Sequence, residues 1–367
     1  MRVNPGLDGV VVTDTEISEI DGQAGTLIYR GWNVDELAVR HTFEEVVYLL
    51  WNGEFPEPSE LDRWRRKFGS GCLSDRQRQM IRLLSPEIDM ISVIRTILSS
   101  LGDSSFLWPP TAEKGIKLLA AIPVIIAART RSLQGKTMLE PREDLSFAAN
   151  YLYMLKGTEP LPAHVKALEA YWILTAEHGL NASTFTARVA ASTETDLASA
   201  VIAALSALKG PIHGGAPSHV DDMLDKIGSV ERAESWIRER LLGGEKLMGF
   251  GHRIYKTTDP RAEALREVVR AGAGEEPWFQ LAVEVEKIAL AVLREVKPNR
   301  QIHTNVEYYT AAILKAIELP RELYTPTFAV SRTAGWIAHI LEQAANNRII
   351  RPSSRYIGPK NERIRNN

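Results

Sequence analysis

Apolar and polar positions alternate with a period near two only at the start of this 367-residue chain, over residues 10–20 and again from Thr26 to Gly31. Asp21-Gly22 between them is turn chemistry, so a small β ribbon is expected there. From Thr42 the apolar period becomes helical and stays so. Thr42-Phe-Glu-Glu45 is a capping box ahead of Val46, Val47, Leu49 and Leu50, and Gly53 with Pro56 closes that helix. The same pattern predicts helices over 59–68, 75–84, 92–101, 111–129, 143–155, 163–175, 183–191 and 194–208. Further ones are expected over 219–227, 230–241, 260–270, 278–294, 304–317 and 327–346. No repeat with a period of roughly 20 to 50 residues is visible, which excludes a solenoid. The expected architecture is a nearly all-α bundle with one N-terminal ribbon.

Composition narrows the class. A hydrophobic content of 44% supports a large core, and the length suits two domains or one large one. The net charge of −2 gives no electrostatic case for nucleic acid or an anionic membrane. The longest apolar run, 116–128, contains Lys117 and Pro123 and reads as a buried helix rather than a membrane span. Cys72 is the only cysteine, which excludes an intrachain disulfide and a cysteine-based metal cluster. With no apolar signal core or transit-peptide character at the N-terminus, the expected location is the cytoplasm.

Four loops carry the candidate chemistry. The densest is Met248–Arg261, MGFGHRIYKTTDPR, where Gly249 and Gly251 permit a sharp turn just before His252. Asp259 and Pro260 read as N-cap and first residue of the following helix, which puts Arg261 in a first turn that favours an anion. A capped helix with a solvated basic face fits that segment equally well. Glu177-His178 follows an apolar helix end, where a histidine near free carbonyls is commonly structural. His213 stands between Gly210-Pro211 and a glycine pair, irregular backbone that suits a functional histidine. In Pro298–Glu307, Thr304-Asn-Val-Glu307 fits a capping box, the reading those residues favour over catalysis. Arg332 and Arg351 fit surface charge as well as anion binding. No histidine falls in a metal-ligand spacing, and Gly-Phe-Gly-His lacks the strand and third glycine of a dinucleotide fingerprint. What remains is a set of histidines, one carboxylate and several arginines suited to acid-base chemistry on a small polyanion.

These residues carry a resemblance to the citrate synthase family. Gly249-Phe-Gly-His-x-Ile-x-Lys-x-x-Asp-Pro-Arg261 matches that family's signature through its fixed positions. Leu208-Lys-Gly-Pro-Ile-His-Gly-Gly, Glu177-His-x-x-Asn-Ala-Ser-Thr-Phe and Ile20-Asp-Gly-x-x-Gly-x-Leu-x-Tyr-Arg-Gly agree in the family's order, so the resemblance spans essentially the whole chain. It implies an all-α, two-domain helical fold, with a large domain of residues 1–214 plus 319–367 and a small domain of 215–318. The active site would lie in the cleft between them, with His213 at the hinge.

The resemblance also implies roles. Condensing acetyl-CoA with oxaloacetate requires removal of a weakly acidic methyl proton and stabilisation of the enolate. Glu307 would take that proton, and His213 would hydrogen-bond the thioester oxygen. His252 would polarise the ketone of oxaloacetate and protonate it as the carbon–carbon bond forms. Arg261 and Arg332 would hold the two carboxylates, assisted by His178, with Arg351 reaching over from the partner in a homodimer. Lys256 would face a CoA phosphate. No cofactor is implied, CoA thioester being a substrate. One departure stands out: the family's usual base is an aspartate, and Glu307 adds a methylene. Alternatives that the residues leave open are 2-methylcitrate synthesis from propionyl-CoA and an inactive homologue that binds oxaloacetate or acyl-CoA.

Overall fold

The computed structural model describes residues 3–7, 9–69, 73–102, 106–213, 216–252, 254–273 and 277–358. Cys72, and Gly215 where the small domain is expected to begin, lie outside them. The ribbon has three antiparallel strands in the order β1 (Ser18–Asp21), β2 (Thr26–Tyr29), β3 (Trp32–Asn33), with Ser18 opposite Tyr29 and Asp21 opposite Thr26. The alternation that begins at Val10 does not become strand until Ser18, because a side chain rather than a neighbouring strand holds the backbone before it. The Glu342 carboxylate accepts from Glu16 N at 2.9 Å and from Thr15 Oγ1 at 3.1 Å.

Helix α1 (Val34–Arg40) is one the apolar pattern does not announce, since it buries only Val34, Leu37 and Ala38. α2 (Phe43–Asn52) starts at the expected capping box, with Thr42 N donating to Glu45 Oε2 at 2.7 Å, and ends at Gly53 in the left-handed region. α3 (Pro58–Gly69), α4 (Asp75–Leu83), α5 (Met90–Leu101) and α6 (Ala112–Leu133) follow, then α7 (Phe147–Lys156), α8 (Pro162–Thr175), α9 (Ala182–Ala191) and α10 (Leu197–Leu208). The chain continues with α11 (Ala216–Ile227), α12 (Val230–Leu242), α13 (Pro260–Ala273), α14 (Pro277–Val296), α15 (Val306–Ala316) and α16 (Tyr324–Ala345).

α7 and α10 start later than expected for local reasons. α7 begins at Phe147 rather than near 143, because Asn150 Nδ2 donates to Arg142 O and Leu145 O and holds that stretch as a turn. α10 begins after Asp196, whose Oδ1 accepts from Ser199 N at 2.9 Å. The capping-box reading of Thr304–Glu307 is also corrected. Asn305 is the N-cap of α15, and Thr304 Oγ1 donates instead to Glu286 Oε1 at 2.5 Å, which frees Glu307 from a capping role.

α6 and α16 are buried along most of their length and form the centre of the fold. α16 packs against α2, α6, α8, α9 and α10, while α15 packs against α11 and α13, and α13 also lies on α8 and α1. No described helix is long and apolar enough to cross a membrane. Gly335, in mid-α16, lets that helix meet the end of α8, for a Cβ there would stand 2.3 Å from Ala176 O and 2.5 Å from Glu177 Oε2. Helix propensity favours alanine over glycine by about 1 kcal/mol, whereas overpacking against fixed backbone costs about 1–3 kcal/mol. Gly335→Ala is therefore expected to lower the urea midpoint of unfolding, and an unchanged or raised midpoint would show that the approach is not tight.

Candidate active site

The segment before α13 owes its shape to two left-handed glycines, Gly249 at φ +82° and Gly251 at φ +85°. A Cβ at Gly249 would meet Tyr308 Cδ2 at 2.7 Å. Gly251 N donates to His303 O at 2.8 Å, and Asn305 N donates to Gly249 O at 3.0 Å. Backbone pairing thus lays the His252 loop alongside the start of α15, which carries Glu307. His252 Nδ1 accepts from Ile254 N at 3.1 Å and Tyr255 N at 3.2 Å. These two backbone donors on Nδ1 place the ring proton on Nε2, which lies 3.4 Å from Arg261 Nη2. Burial, with Arg261 adding to it, pushes this imidazole down to about 4, so it is neutral at physiological pH.

Asp259 ties the start of α13 to the start of α15. Its Oδ1 accepts from Arg261 N at 3.1 Å and Arg261 Nε at 3.0 Å, and its Oδ2 accepts from Arg261 Nη2 at 2.9 Å and Val306 N at 3.1 Å. The Arg261 and Asp259 side chains are only 4% and 1% exposed. Burial opposes the guanidinium charge, but Asp259 outweighs it and holds Arg261 protonated. The N-cap expected from sequence is thus also the counter-ion of a buried arginine and an anchor for α15.

Arg332, on α16, is 4% exposed and donates through Nε to Thr175 O at 2.9 Å. Beside it the loop after α8 is fixed by Glu177, which is fully buried. Glu177 Oε1 accepts from Gly179 N at 2.5 Å, Ser18 Oγ at 3.0 Å and His339 Nε2 at 3.1 Å. Burial alone would raise this carboxyl, yet His339 and Arg332 hold it below the ordinary carboxylate range. His178 Nε2 meets the Tyr255 hydroxyl at 3.2 Å, and its ring lies edge-on to His252 at 5.6 Å between centroids. Burial, then Arg261, Arg332 and His252, drive His178 well below the ordinary imidazole value.

His213 is half-buried, and its Nε2 lies 2.8 Å from Ser183 Oγ. That hydroxyl also accepts from Trp336 Nε1 at 3.1 Å and has a second acceptor in Asn181 Oδ1 at 2.8 Å. Burial and the charge of Arg332 lower the His213 pKa. Glu307 stands in the first turn of α15, its Oε2 buried and without a hydrogen-bond partner among the described residues. Burial raises this carboxyl despite the pull of Arg261 and Arg332. An ionised group in that position is a stronger base than a solvated glutamate.

The structure therefore gathers His178, His213, His252, Arg261, Glu307 and Arg332 from five stretches of chain. Lys256 is exposed and borders, with His252, Tyr255, His303 and Asn305, a cavity of about 770 Å³. Arg351 stands apart in the exposed tail after α16, where Ile350 N donates to Ser192 Oγ at 3.1 Å. Glu177, Ser183, Tyr255 and the ionic role of Asp259 are absent from a motif-based list. Glu177 and Ser183 lie inside Glu177-His-x-x-Asn-Ala-Ser, and that position in a motif is the only signal they give. Among the described residues no three His, Cys, Asp or Glu side chains are placed to hold a metal ion.

Residues 6–353 match the family model described as citrate synthase, C-terminal domain. The chain is 40% identical to citrate synthase 2 of Bacillus subtilis, with 99% of this chain and 98% of the relative covered. The chain belongs to the citrate synthase family. The crystal structure of citrate synthase from Thermotoga maritima superposes with a TM-score of 0.87 at 37% identity, covering 98% of this chain and 97% of the other. Citrate synthase of Thermoplasma acidophilum, solved as a ternary complex with carboxymethyl coenzyme A and oxaloacetate, superposes with a TM-score of 0.89 at 29% identity, covering 98% and 97%. Citrate synthases are acyltransferases that make citrate, and this chain is an enzyme of that class. The four loops singled out in the sequence thus meet in one cluster, with Arg332 of α16 as its fifth stretch of chain. In nitrogen-detected NMR, the His252 ring is expected to show a single Nε2–H tautomer, neutral from pH 8 down to near its pKa of about 4. A charged ring at pH 6 would contradict the backbone cradle around Nδ1.

Proposed function

We propose that this enzyme condenses acetyl-CoA with oxaloacetate and water to citrate and CoA, and that the clustered histidines, arginines and Glu307 carry the reaction. The observation that carries this reading is the buried Glu307 carboxylate, its Oε2 without a hydrogen-bond partner among the described residues, beside two buried arginines and three neutral histidines. Arg261 and Arg332, with His178, hold the two carboxylates of oxaloacetate, and the planar guanidinium fork suits that task. His252 Nε2–H points its proton at the ketone oxygen. Glu307 removes a methyl proton from acetyl-CoA, and the enolate carbon attacks the ketone carbon. His252 passes its Nε2 proton to the new alkoxide, and the two backbone N–H groups on Nδ1 stabilise the negative ring that results. Water then cleaves the thioester, releasing citrate and CoA, and the proton held by Glu307 returns through water to the His252 ring, which restores both groups.

His213 faces the thioester. The Ser183 hydroxyl has one proton and two acceptors to choose from, Asn181 Oδ1 and His213 Nε2. Turned towards His213, it leaves the ring proton on Nδ1, which then donates to the enolate oxygen. The 770 Å³ cavity takes the CoA portion, with Lys246, Lys256, Lys297 and Arg300 on its wall to meet phosphates. His303 Nε2 and Asn305 Oδ1, buried without partners among the described residues, offer it hydrogen bonds.

In this proposal residues 215–318 form a small domain that closes on a large domain of 1–214 plus 319–367, excluding water from the thioester. The enzyme works as a cytoplasmic homodimer in which the exposed Arg351 reaches the partner's site. No resident cofactor takes part.

Free-thiol release from acetyl-CoA and propionyl-CoA with oxaloacetate tests the reaction. Acetyl-CoA is expected to be the faster substrate, and Glu307→Gln to lose about 10²- to 10⁴-fold in kcat, the ordinary worth of a general base. No thiol release from either thioester by wild type would overturn the enzyme reading, and faster release from propionyl-CoA would favour methylcitrate. The pH dependence has a definite sign. Glu307 must be ionised, so kcat rises with pH through a limb above the ordinary carboxylate value, and burial places it there. His252 contributes no limb near 6.5, having been driven to about 4. A limb that moves to an ordinary carboxylate value would remove burial as the tuning force.

A further inference from the structure

The motif Ile20-Asp-Gly-x-x-Gly-x-Leu-x-Tyr-Arg-Gly has no part in the proposed chemistry, yet it forms the ribbon, and the ribbon touches both histidine loops of the oxaloacetate site. At one end, Tyr29 OH donates to Glu177 O at 2.7 Å, Glu177 N donates back to Tyr29 OH at 3.1 Å, and Ser18 Oγ donates to the Glu177 carboxylate. Ile20 Cδ1 lies 3.2 Å from where a Cβ of Gly179 would be. At the other end, the turn between β1 and β2 sits against residues 254–258. Lys256 N donates to Gly22 O at 2.8 Å. A Cβ on Gly22 would stand 2.4 Å from Ile254 O, and one on Gly25 would stand 2.6 Å from Thr257 Cγ2.

Residues 254 and 255 supply the two backbone N–H groups that hold His252 Nδ1. The Gly22 contact lies on Ile254 and the Gly22 hydrogen bond on Lys256, so the turn grips the peptides on both sides of Tyr255. We propose that the turn Asp21–Gly25 is a positioning element for His252, with Gly22 the residue that sets the backbone cradle on Nδ1. The turn keeps its own shape through Asp21, whose Oδ1 accepts from Gln23 N at 2.8 Å and Ala24 N at 2.9 Å. Because the same ribbon holds the Glu177-His178 loop, it also sets the spacing between His178 and His252. This assignment rests on the reading of His252 as the group that meets the ketone.

The test compares Gly22→Ala, Asp21→Ala and Asp21→Asn with Gly31→Ala in the full chain. Gly31 is in the same ribbon at φ +86° with nothing within 4 Å of its Cβ position, so alanine there strains the ribbon without touching the His252 loop. Three quantities are read: kcat/KM for oxaloacetate, the thermal midpoint, and the His252 ring tautomer by NMR. Gly22→Ala and Asp21→Ala are expected to lower kcat/KM about 10- to 100-fold, the scale for a displacement near 1 Å, and to turn the single Nε2–H tautomer into a mixture. Asp21→Asn, which keeps the Oδ1 acceptor, and Gly31→Ala are expected to stay within about twofold of wild type with one tautomer. Asp21 is exposed, so its variants carry the comparison even where Gly22→Ala does not fold. If Gly22→Ala and Asp21→Ala behave as Gly31→Ala does, or lose activity with the tautomer unchanged, the assignment is overturned. A wild type that makes no citrate would instead sink the proposed condensation, while the tautomer comparison still reports on the ribbon.

Discussion

A single carboxylate, Asp259, receives four N–H donors: three from Arg261 and one from Val306. Removing one partner of such a buried pair costs about 3–5 kcal/mol, because the other charge is left in a medium that solvates it poorly. Here the pair does more than stabilise. It fixes the guanidinium by its Nε and Nη2 edge, and it sets where α15 begins. Glu307 follows one residue after Val306, so Glu307 and Arg261 are positioned by the same acid. The helix start that carries Glu307 is anchored by Thr304 through Glu286 rather than through a capping box.

The electrostatics of the cluster follow from two buried cations among uncharged rings. Arg261 and Arg332 add to burial in holding His178 neutral, while Arg261 acts in the same way on His252 and Arg332 on His213. Neutral imidazoles are hydrogen-bond donors and acceptors of fixed tautomer, which is what a ketone or enolate oxygen needs. Glu307 feels the same cations, which favour its ionised form, but burial outweighs them and leaves it more basic than a surface glutamate. Counter-ions outside the cluster act on both arginines: Asp259 outweighs burial at Arg261, and Glu177 opposes it at Arg332.

Legibility in the sequence tracks the range of the interaction. The α2 capping box, the closing Gly53 and the buried run 116–128 are local patterns, and the helical course of the chain follows from them. Short α1 has too few apolar positions to be seen, and the chain ahead of Ser18 keeps an alternation although its backbone is held by Glu342, more than 300 residues away, rather than by a partner strand. The candidate histidines and arginines are legible from loop composition and family resemblance, but spacing misassigns Thr304 because its hydroxyl finds Glu286, on another helix, before its own helix end. Glu177, Ser183 and the ribbon turn act through partners far away in sequence. No spacing rule identifies such contacts.

The central claim is that Glu307 abstracts the methyl proton while neutral His252 waits for the ketone. Solvent exchange separates that step from condensation. Acetyl-CoA would be incubated in heavy water with the enzyme and a four-carbon dicarboxylate bearing a hydroxyl in place of the ketone, and deuterium entering the methyl group followed by mass spectrometry. Wild type is expected to exchange the methyl hydrogens and Glu307→Gln to leave them untouched, with the dicarboxylate required for exchange. Equal exchange in the two proteins would contradict the account, because the proton would then be leaving to some other base.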